Sequence, residues 1–394
     1  VLHPRQLAAR AVRRLRHDIA ERGGIGEPAF DIHRVLERLA GRRRGRADLA
    51  AGHLLALLLD RLHHVLRRQT ARPHLLRVEP DAHRILSDAE HSDIADARDA
   101  RQFIDQVYQP VQDELYRRGW LEGTASTLLD RYGRKRYAFS GHRLSFLVTC
   151  RGVPLRIYND PTLLPDTTRL IAPFVKNESA VDSELSLLAW GTYDPTGPLS
   201  NPLFGRDGPL TLDALQVVKV SRLDGPTWES ARHLVTGALA AERTGLAGRF
   251  YVDLEGPHPE GDQWLRQTLA QLREMGLDGD VDETPGTFPL NARFDSPVLY
   301  FGWYATDLNG PFKQPGFAFP DGAIAEHIHS FSAQTLHSDT TGWCGPFLAR
   351  GVTATVGNVF EPDLKFVHRP HLLLRALARG HNFGDAVYYA LPAL

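Results

Sequence analysis

The stretch LQVVKVSRLDGPTWESARHLVTGALAAERTGLAGRFYVDLEG, residues 215–256, decides the fold. Its first part, 215–227, is a short apolar run that reaches Asp-Gly-Pro, which predicts a buried strand followed by a turn. Residues 228–245 predict a helix, and 248–256 predict a second strand. Strand, turn, helix and strand in this order form the unit from which parallel sheets are built.

The alternation of predicted strands and helices continues on both sides of this stretch. Strands are predicted at 143–160, 297–304, 323–331 and 351–359, and helices at 262–276, around 342–351 and at 370–380. Further helical spacing occurs at 6–21, 32–42, 53–68 and 99–123. We therefore expect an α/β domain over 101–394, with a largely parallel sheet flanked by helices, preceded by a helical region over 1–100.

The composition excludes several classes of protein. The chain has 394 residues, of which 42% are hydrophobic, and this is enough to bury a sizeable core. It has no apolar run of about 18 residues, so we expect a soluble protein without a membrane span, exported if a signal peptide has been removed. The two cysteines, Cys150 and Cys344, lie in no metal-binding spacing, which argues against structural zinc.

Residues 1–100 differ in composition from the rest of the chain. They contain nineteen Arg, no Lys and fourteen acidic residues, and nine of the eighteen His. The GRRRGR run at 41–46 is a possible phosphate contact, but a solvated helical surface explains it as well, and we do not expect a nucleic acid partner. The same bias also fits translation in a shifted reading frame, so the integrity of this region as a domain is in doubt.

Candidate site residues follow from the expected sheet, because ligands bind at the carboxyl ends of parallel strands. The polar and aromatic residues just after the predicted strands are Arg222, Asp224, Asp253, Trp303, Tyr304, Asp307, His329, Ser330, Ser332, Asn358 and Glu361, and Asp182 and Glu184 open a helical stretch. No P-loop, G-x-G-x-x-G or H-E-x-x-H motif is present, so we expect no cofactor and no metal.

Several short motifs together resemble a family of bacterial conserved hypothetical proteins. They are RGVPLRI, VDSELSLL, RLDGPT, GWYATD, GAIAEHIHSFSA and GVTATVGNVFEP, in this order along 100–394. Members of that family open with a strand and a helix, and continue beyond the equivalent of Leu394 through a Gly-Asp-Pro-Leu motif. The resemblance therefore implies an atypical region at 1–100 and a domain truncated at its C-terminus.

The C-terminal layout is more distantly similar to the caspase-like fold of the gingipain type of cysteine peptidase. In that fold, one strand ends in a catalytic His and the next strand delivers the catalytic Cys. In this chain Trp303 and Tyr304 stand at the first position, and the segment from Ser330 to Ser332 stands at the second. The resemblance thus implies a hydrolase-like domain that lacks the usual Cys-His dyad.

The residues themselves are compatible with two functions. A hydrolase would use His329 as base, Ser330 or Ser332 as nucleophile and a carboxylate such as Asp224, provided that a turn begins near Ser330 and brings these groups together. The alternative is a non-catalytic module in which Trp303, Tyr304 and nearby acidic residues bind a peptide or a glycan.

Overall fold

The computed structural model describes residues 101–130, 133–160, 162, 176–191, 193 and 197–394. The predicted helices, basic run and domain boundary within residues 1–100 lie outside these ranges. The described part begins with a π-helical turn, Ile104–Tyr108, that continues into helix α1, Gln109–Arg117. An antiparallel hairpin follows, with strand β1 at Leu121–Leu129 and strand β2 at Lys135–His142.

The remaining strands and helices are as follows. The strands are β3 Leu147–Cys150, β4 Arg156–Ile157, β5 Ser179–Ala180, β6 Val220–Leu223, β7 Arg249–Asp253, β8 Gly279–Asp282, β9 Pro297–Gly302, β10 Ile324–His327 and β11 Ala354–Val356. The helices are α2 Val181–Ser186, α3 Leu212–Leu215, α4 Trp228–Thr244, α5 Pro259–Glu274, α6 Cys344–Ala349, α7 Pro370–Ala378 and α8 Phe383–Ala390.

Five of these strands form the central sheet, in the order β11, β10, β9, β7, β8, and all neighbours are parallel. The predicted α/β class with a parallel sheet flanked by helices is therefore confirmed. The register brings Asp253 opposite Asp282, and His327 opposite Gly302. Outside this sheet, β3 pairs with β6 in parallel, and β4 pairs with β5 antiparallel.

Both faces of the sheet are buried, so successive residues of β9 enter different cores. Leu299 and Phe301 belong to a core with Trp264 of α5 and residues of α7 and α8. Tyr300 belongs to a second, mainly aromatic core with Trp343 and other rings. Because neither face meets water, β9 and the middle of β7 are continuously apolar, which explains why they could be recognised in the sequence.

Some predicted features differ in the structure. The strand predicted at 297–304 ends at Gly302, and the one at 323–331 ends at His327, so the polar residues beyond them lie in loops. Cys150 ends the apolar run at 143–150, yet it is exposed, because the alternating burial of β3 turns Thr149 inward instead. The β1–β2 hairpin was not predicted, since most of β1 is exposed and carries no apolar alternation.

Among the described residues of 101–394, no helix has both the length and the apolar character needed to cross a membrane. The longest, α4, has 17 residues.

Candidate functional site

The His-Ser-Phe-Ser segment lies at the carboxyl edge of the sheet, directly beyond β10. The chain turns at Ser330, as the hydrolase hypothesis required, and His329 and Ser330 are both half-buried. The imidazole Nδ1 of His329 contacts the carbonyl of Ser330, and the hydroxyl of Ser330 donates a hydrogen bond to Oε2 of Glu361. The serine hydroxyl thus meets a carboxylate, and no hydrogen bond joins it to His329.

Ser332 has a different environment, because it is completely buried. Its hydroxyl accepts a hydrogen bond from the backbone N–H of Asn358 at 3.0 Å. Its carbonyl accepts from the N–H groups of Trp343 at 2.8 Å and Cys344 at 3.0 Å. Ser332 therefore satisfies buried backbone groups and anchors the turn to the start of α6, as expected for a buried hydroxyl.

Asn358 ties the turn to the loop that follows β11. Its side-chain amide donates to the carbonyl of His329 at 3.1 Å, and its own carbonyl accepts from Ala333 at 2.9 Å. Between these contacts Phe331 has a φ of 60°, in the left-handed region that costs a non-glycine residue roughly 1–2 kcal/mol. Two loops thus hold Ser330 and Glu361 side by side.

Tyr304 follows β9 and lies next to His329, with ring centroids 4.4 Å apart. His258, directly before α5, also lies near Tyr304, with centroids 6.1 Å apart. Tyr304 is 40% exposed, whereas Trp303 is fully buried and donates its indole N–H to Asp262 at 2.8 Å. Of the two predicted aromatic residues, only Tyr304 can touch a ligand at the surface.

Two buried aromatic residues hold the loop that carries Tyr304 through the peptide groups of Ala305. The Ala305 N–H donates to Nε2 of His327 at 3.0 Å, and the Ala305 carbonyl accepts from Nε1 of Trp343 at 2.7 Å. The rings of His327 and Trp343 stack with centroids 3.4 Å apart. Burial, and secondarily the nearby His329, hold the pKa of His327 well below its usual value. The ring is therefore neutral, and its Nε2 can accept the hydrogen bond from the Ala305 N–H.

Asp253 lies beneath this loop and not at the surface. Its Oδ2 accepts from Tyr300 at 3.4 Å and from the Phe288 N–H at 3.3 Å, and Tyr300 contacts Nδ1 of His327 at 3.0 Å. Burial raises the pKa of Asp253 to about 8, and the neighbouring Asp282 adds to this rise. With no exposed surface, Asp253 supports the site from below and cannot contact a surface ligand.

Asp224, at the end of β6, pairs with a histidine that was not among the predicted residues. Its Oδ1 lies 2.9 Å from Nε2 of His337 and accepts from the Gly225 N–H at 2.8 Å. Burial alone would raise the pKa of Asp224, but the His337 and Gly225 hydrogen bonds and the Arg222 charge outweigh it and lower the pKa. The pairing with His337 was missed because this histidine lies in a loop without a recognisable pattern.

The other predicted residues make local contacts within their own parts of the domain. Arg222 donates to both carboxylate oxygens of Asp182, at 3.1 and 2.7 Å. Glu184 accepts from the hydroxyl of Tyr193, and Asp307 accepts from the Gly342 N–H at 2.7 Å. No hydrogen bond connects any of these side chains to His329 or Ser330.

A cavity of about 830 Å³ lies between β6 and β11, and we call it the β6–β11 cavity. Arg222 and Asp224 line it from β6, and Asn358 and Glu361 line it beyond β11. In the part of the chain that the structure describes, no three His, Cys, Asp or Glu side chains are grouped so that they could hold a metal ion.

No family model, curated protein or solved structure matches this chain.

Proposed function

We propose that the domain is a hydrolase whose nucleophile is Ser330 and whose general base is Glu361. The observation that carries the proposal is the hydrogen bond from the Ser330 hydroxyl to the Glu361 carboxylate at the open carboxyl edge of the sheet. A hydroxyl becomes an effective nucleophile when an adjacent base can take its proton as it attacks. This arrangement assigns the base to Glu361 instead of His329.

His329 then has the role of general acid. Its Nδ1 is engaged by the Ser330 carbonyl, while Nε2 has no hydrogen-bond partner among the described residues. In the first step, the Ser330 oxygen attacks the substrate carbonyl and its proton passes to Glu361. The leaving group departs with a proton from Nε2 of His329, which enters this step as the imidazolium because Nδ1–H already donates to the Ser330 carbonyl. Water then releases the acyl group from Ser330: the neutral His329 takes a proton from the water, and Glu361 returns its proton to the serine oxygen.

The proposal retains the reactive position that the gingipain-type resemblance implied, but with a hydroxyl in place of the thiol. Cys344 is a poor substitute nucleophile, because it is buried and burial raises the pKa of its thiol to about 12. Ser332 is also excluded as nucleophile, since it is fully buried and its hydroxyl supports the backbone of Asn358.

Labelling with a fluorophosphonate tests the proposal, because this reagent reacts with activated serines. We expect labelling of the full chain at Ser330, loss of the label in Ser330→Ala and at least about tenfold slower labelling in Glu361→Gln, as for removal of a catalytic base. Ser140→Ala, which removes an exposed serine on β2, is the matched control and should label normally. Equal labelling of the wild type and Ser330→Ala would contradict the proposed nucleophile.

A second function, non-catalytic binding of a glycan, is favoured by one specific observation. Tyr304, which is 40% exposed, lies against the rings of both His258 and His329. Sugar rings pack on such aromatic faces. Calorimetric titration with soluble oligosaccharides separates the two functions: binding that is lost in Tyr304→Ala, persists in Ser330→Ala and leaves the sugar intact would favour the binding module.

A further inference from the structure

Helix α4 carries large apolar side chains along its exposed side. Trp228, Val235 and Leu239 are 63%, 43% and 49% exposed, and they stand seven and four positions apart. At about 100° of rotation per residue, this spacing places all three within about 40° of one another around the helix. Exposed apolar side chains are common one at a time, but three in line form a continuous apolar surface.

The opposite side of α4 packs against the rest of the domain. Gly237 is buried there, and a Cβ atom at this position would lie 2.5 Å from the hydroxyl oxygen of Thr353. On the same side, Nε2 of His233 lies 2.9 Å from the carbonyl oxygen of Gly351. These contacts fix the rotation of the helix about its axis, so the side that carries Trp228, Val235 and Leu239 faces outward.

Two charged residues complete this outward side. Arg232 and Glu242 are both exposed, and with the three apolar residues they follow one another at intervals of four, three, four and three positions. This alternating spacing is typical of the side chains at the seam between two paired helices. We call Trp228, Arg232, Val235, Leu239 and Glu242 the α4 strip.

The α4 strip is complementary to itself when a second copy of the helix runs in the opposite direction. With the two Gly237 residues at the same level, residues at equal distances before and after this position face each other. Val235 then faces the partner's Leu239, and Arg232 faces the partner's Glu242. Each contact occurs twice, because a two-fold axis relates the two copies, as in most dimers of identical subunits.

The charges beside the α4 strip are complementary in the same arrangement. Glu229 and Arg243 each directly follow a strip residue, so they lie along the same flank of the strip. In the antiparallel pair, Glu229 comes within about 3 Å of the level of the partner's Arg243 along the helix axis. A parallel pair would instead place Arg232 against its own copy and Glu242 against its own copy, and like charges would meet.

The four charges of these two sets have no ionic partner within the described part of the domain. The one ion pair that α4 makes there joins His233 to Asp321, with nitrogen and oxygen 3.9 Å apart. All four charged side chains are exposed. Since exposed ion pairs contribute little affinity, these charges would select the antiparallel orientation, and the apolar side chains would supply most of the binding energy.

We propose that α4 pairs in antiparallel orientation with α4 of a second copy of this chain, so that the α4 strip forms the interface of a homodimer. From Trp228 to Glu242 the strip is about 21 Å long. One helix of this length covers less than the roughly 800 Å² per subunit of a standard stable interface, so the dimer belongs to the weaker class. We expect it to dissociate at micromolar concentrations.

Sedimentation equilibrium of the full chain, from about 1 to 100 µM, tests this proposal. We expect a concentration-dependent dimer. Arg232→Glu and Glu242→Arg should each weaken it by at least about tenfold, because each substitution places like charges opposite each other at two points of the pair. The double variant exchanges both signs and should dimerise like the wild type. Two single variants that dimerise as strongly as the wild type would contradict the antiparallel pairing.

A substitution in the middle of the strip tests the apolar contact. Leu239→Glu should abolish the dimer over this concentration range, and circular dichroism checks that the variant is folded. Arg273→Glu, the same charge reversal as Arg232→Glu but at an exposed position of α5, is the control and should leave the dimer unchanged. A chain that stays monomeric throughout, or a dimer that Leu239→Glu leaves intact, overturns the proposal, and neither result depends on hydrolysis at Ser330.

Discussion

Gly261 illustrates how a single residue can have opposite effects on the helix and on the core. It lies in the first turn of α5, where helix propensity alone would favour alanine by about 1 kcal/mol. A Cβ atom at this position, however, would lie 2.1 Å from the Cη2 and Cζ3 atoms of Trp303. Trp303 is held on this side by its hydrogen bond to Asp262, so it cannot easily move away.

We therefore predict that Gly261→Ala lowers the free energy of unfolding by roughly 1–3 kcal/mol, the usual cost of overpacking a core. Urea denaturation of the wild type and the variant measures this difference in the free energy of unfolding. Gln263→Ala, at an exposed position of the same helix, is the control and should have little effect. The penalty should shrink when Trp303→Phe is combined with Gly261→Ala, because the smaller ring leaves room for the methyl group. A stabilising effect of Gly261→Ala would show that propensity outweighs packing here.

At the scale of single elements, α8 depends on its first residues. Asn382 precedes the helix, and its side-chain oxygen accepts a hydrogen bond from the Asp385 N–H at 2.9 Å. This bond satisfies one of the N–H groups that a helix start leaves unpaired. Because Tyr388 of α8 reaches the N–H of Val220, the cap also stabilises the contact between α8 and β6.

Replacing the cap gives the prediction for this element. Asn382→Ala should lower the free energy of unfolding by about 1 kcal/mol, while Asn382→Ser, which keeps an oxygen acceptor, should cost only a few tenths. Urea titrations of both variants measure the difference. Equal losses in the two variants would mean that the capping bond contributes nothing and that another contact of Asn382 matters.

The elements also differ in how well the sequence predicts them. β7 and β9 were recognised because two buried faces require continuous apolar runs, and α4 and α5 because their apolar residues recur at helical spacing. The β1–β2 hairpin carries neither signal. The carboxyl-edge rule brought Ser330 and Glu361 onto the same short list, but side-chain pairing depends on loops: Asp224 and His337 are 113 residues apart.

For the whole molecule, the buried ionisable groups determine how stability varies with pH. Burial raises the pKa of both Asp253 and Glu326 to about 8, far above the values near 4 expected in the unfolded chain. Burial lowers the pKa of His327 and His368 below the unfolded value near 6.5. Between about pH 4 and 6.5 these two effects oppose each other.

Above pH 6.5 the carboxyl groups dominate, because the histidines of the unfolded chain are then losing their last protons and become neutral in both states. The folded state binds more protons than the unfolded state in this range, so stability falls as pH rises towards 8. We predict that the two carboxyl groups together cost roughly 3 kcal/mol of stability between pH 6.5 and 8, since each contributes about 1.4 kcal/mol per pH unit until it begins to titrate near pH 8.

Denaturant titrations across this pH range measure the loss. The double variant Asp253→Asn with Glu326→Gln should flatten the pH dependence, because neither replacement can ionise. Substituting Glu260, an exposed acid on α5, by Gln is the control and should preserve the slope. A wild type whose stability is constant from pH 6.5 to 8 would contradict the proposed role of the two carboxyl groups.

The shape of the loop that carries Tyr304 is determined mainly by residues outside the loop. The contacts that hold Ala305 use only its peptide N–H and carbonyl, which every residue except proline possesses. The identity of residue 305 therefore contains little information about the loop. That information is stored in His327 and Trp343, which lie 22 and 38 positions further along the chain. Residue 305 can therefore be substituted without changing the shape of the loop, whereas a substitution of His327 or Trp343 can change that shape.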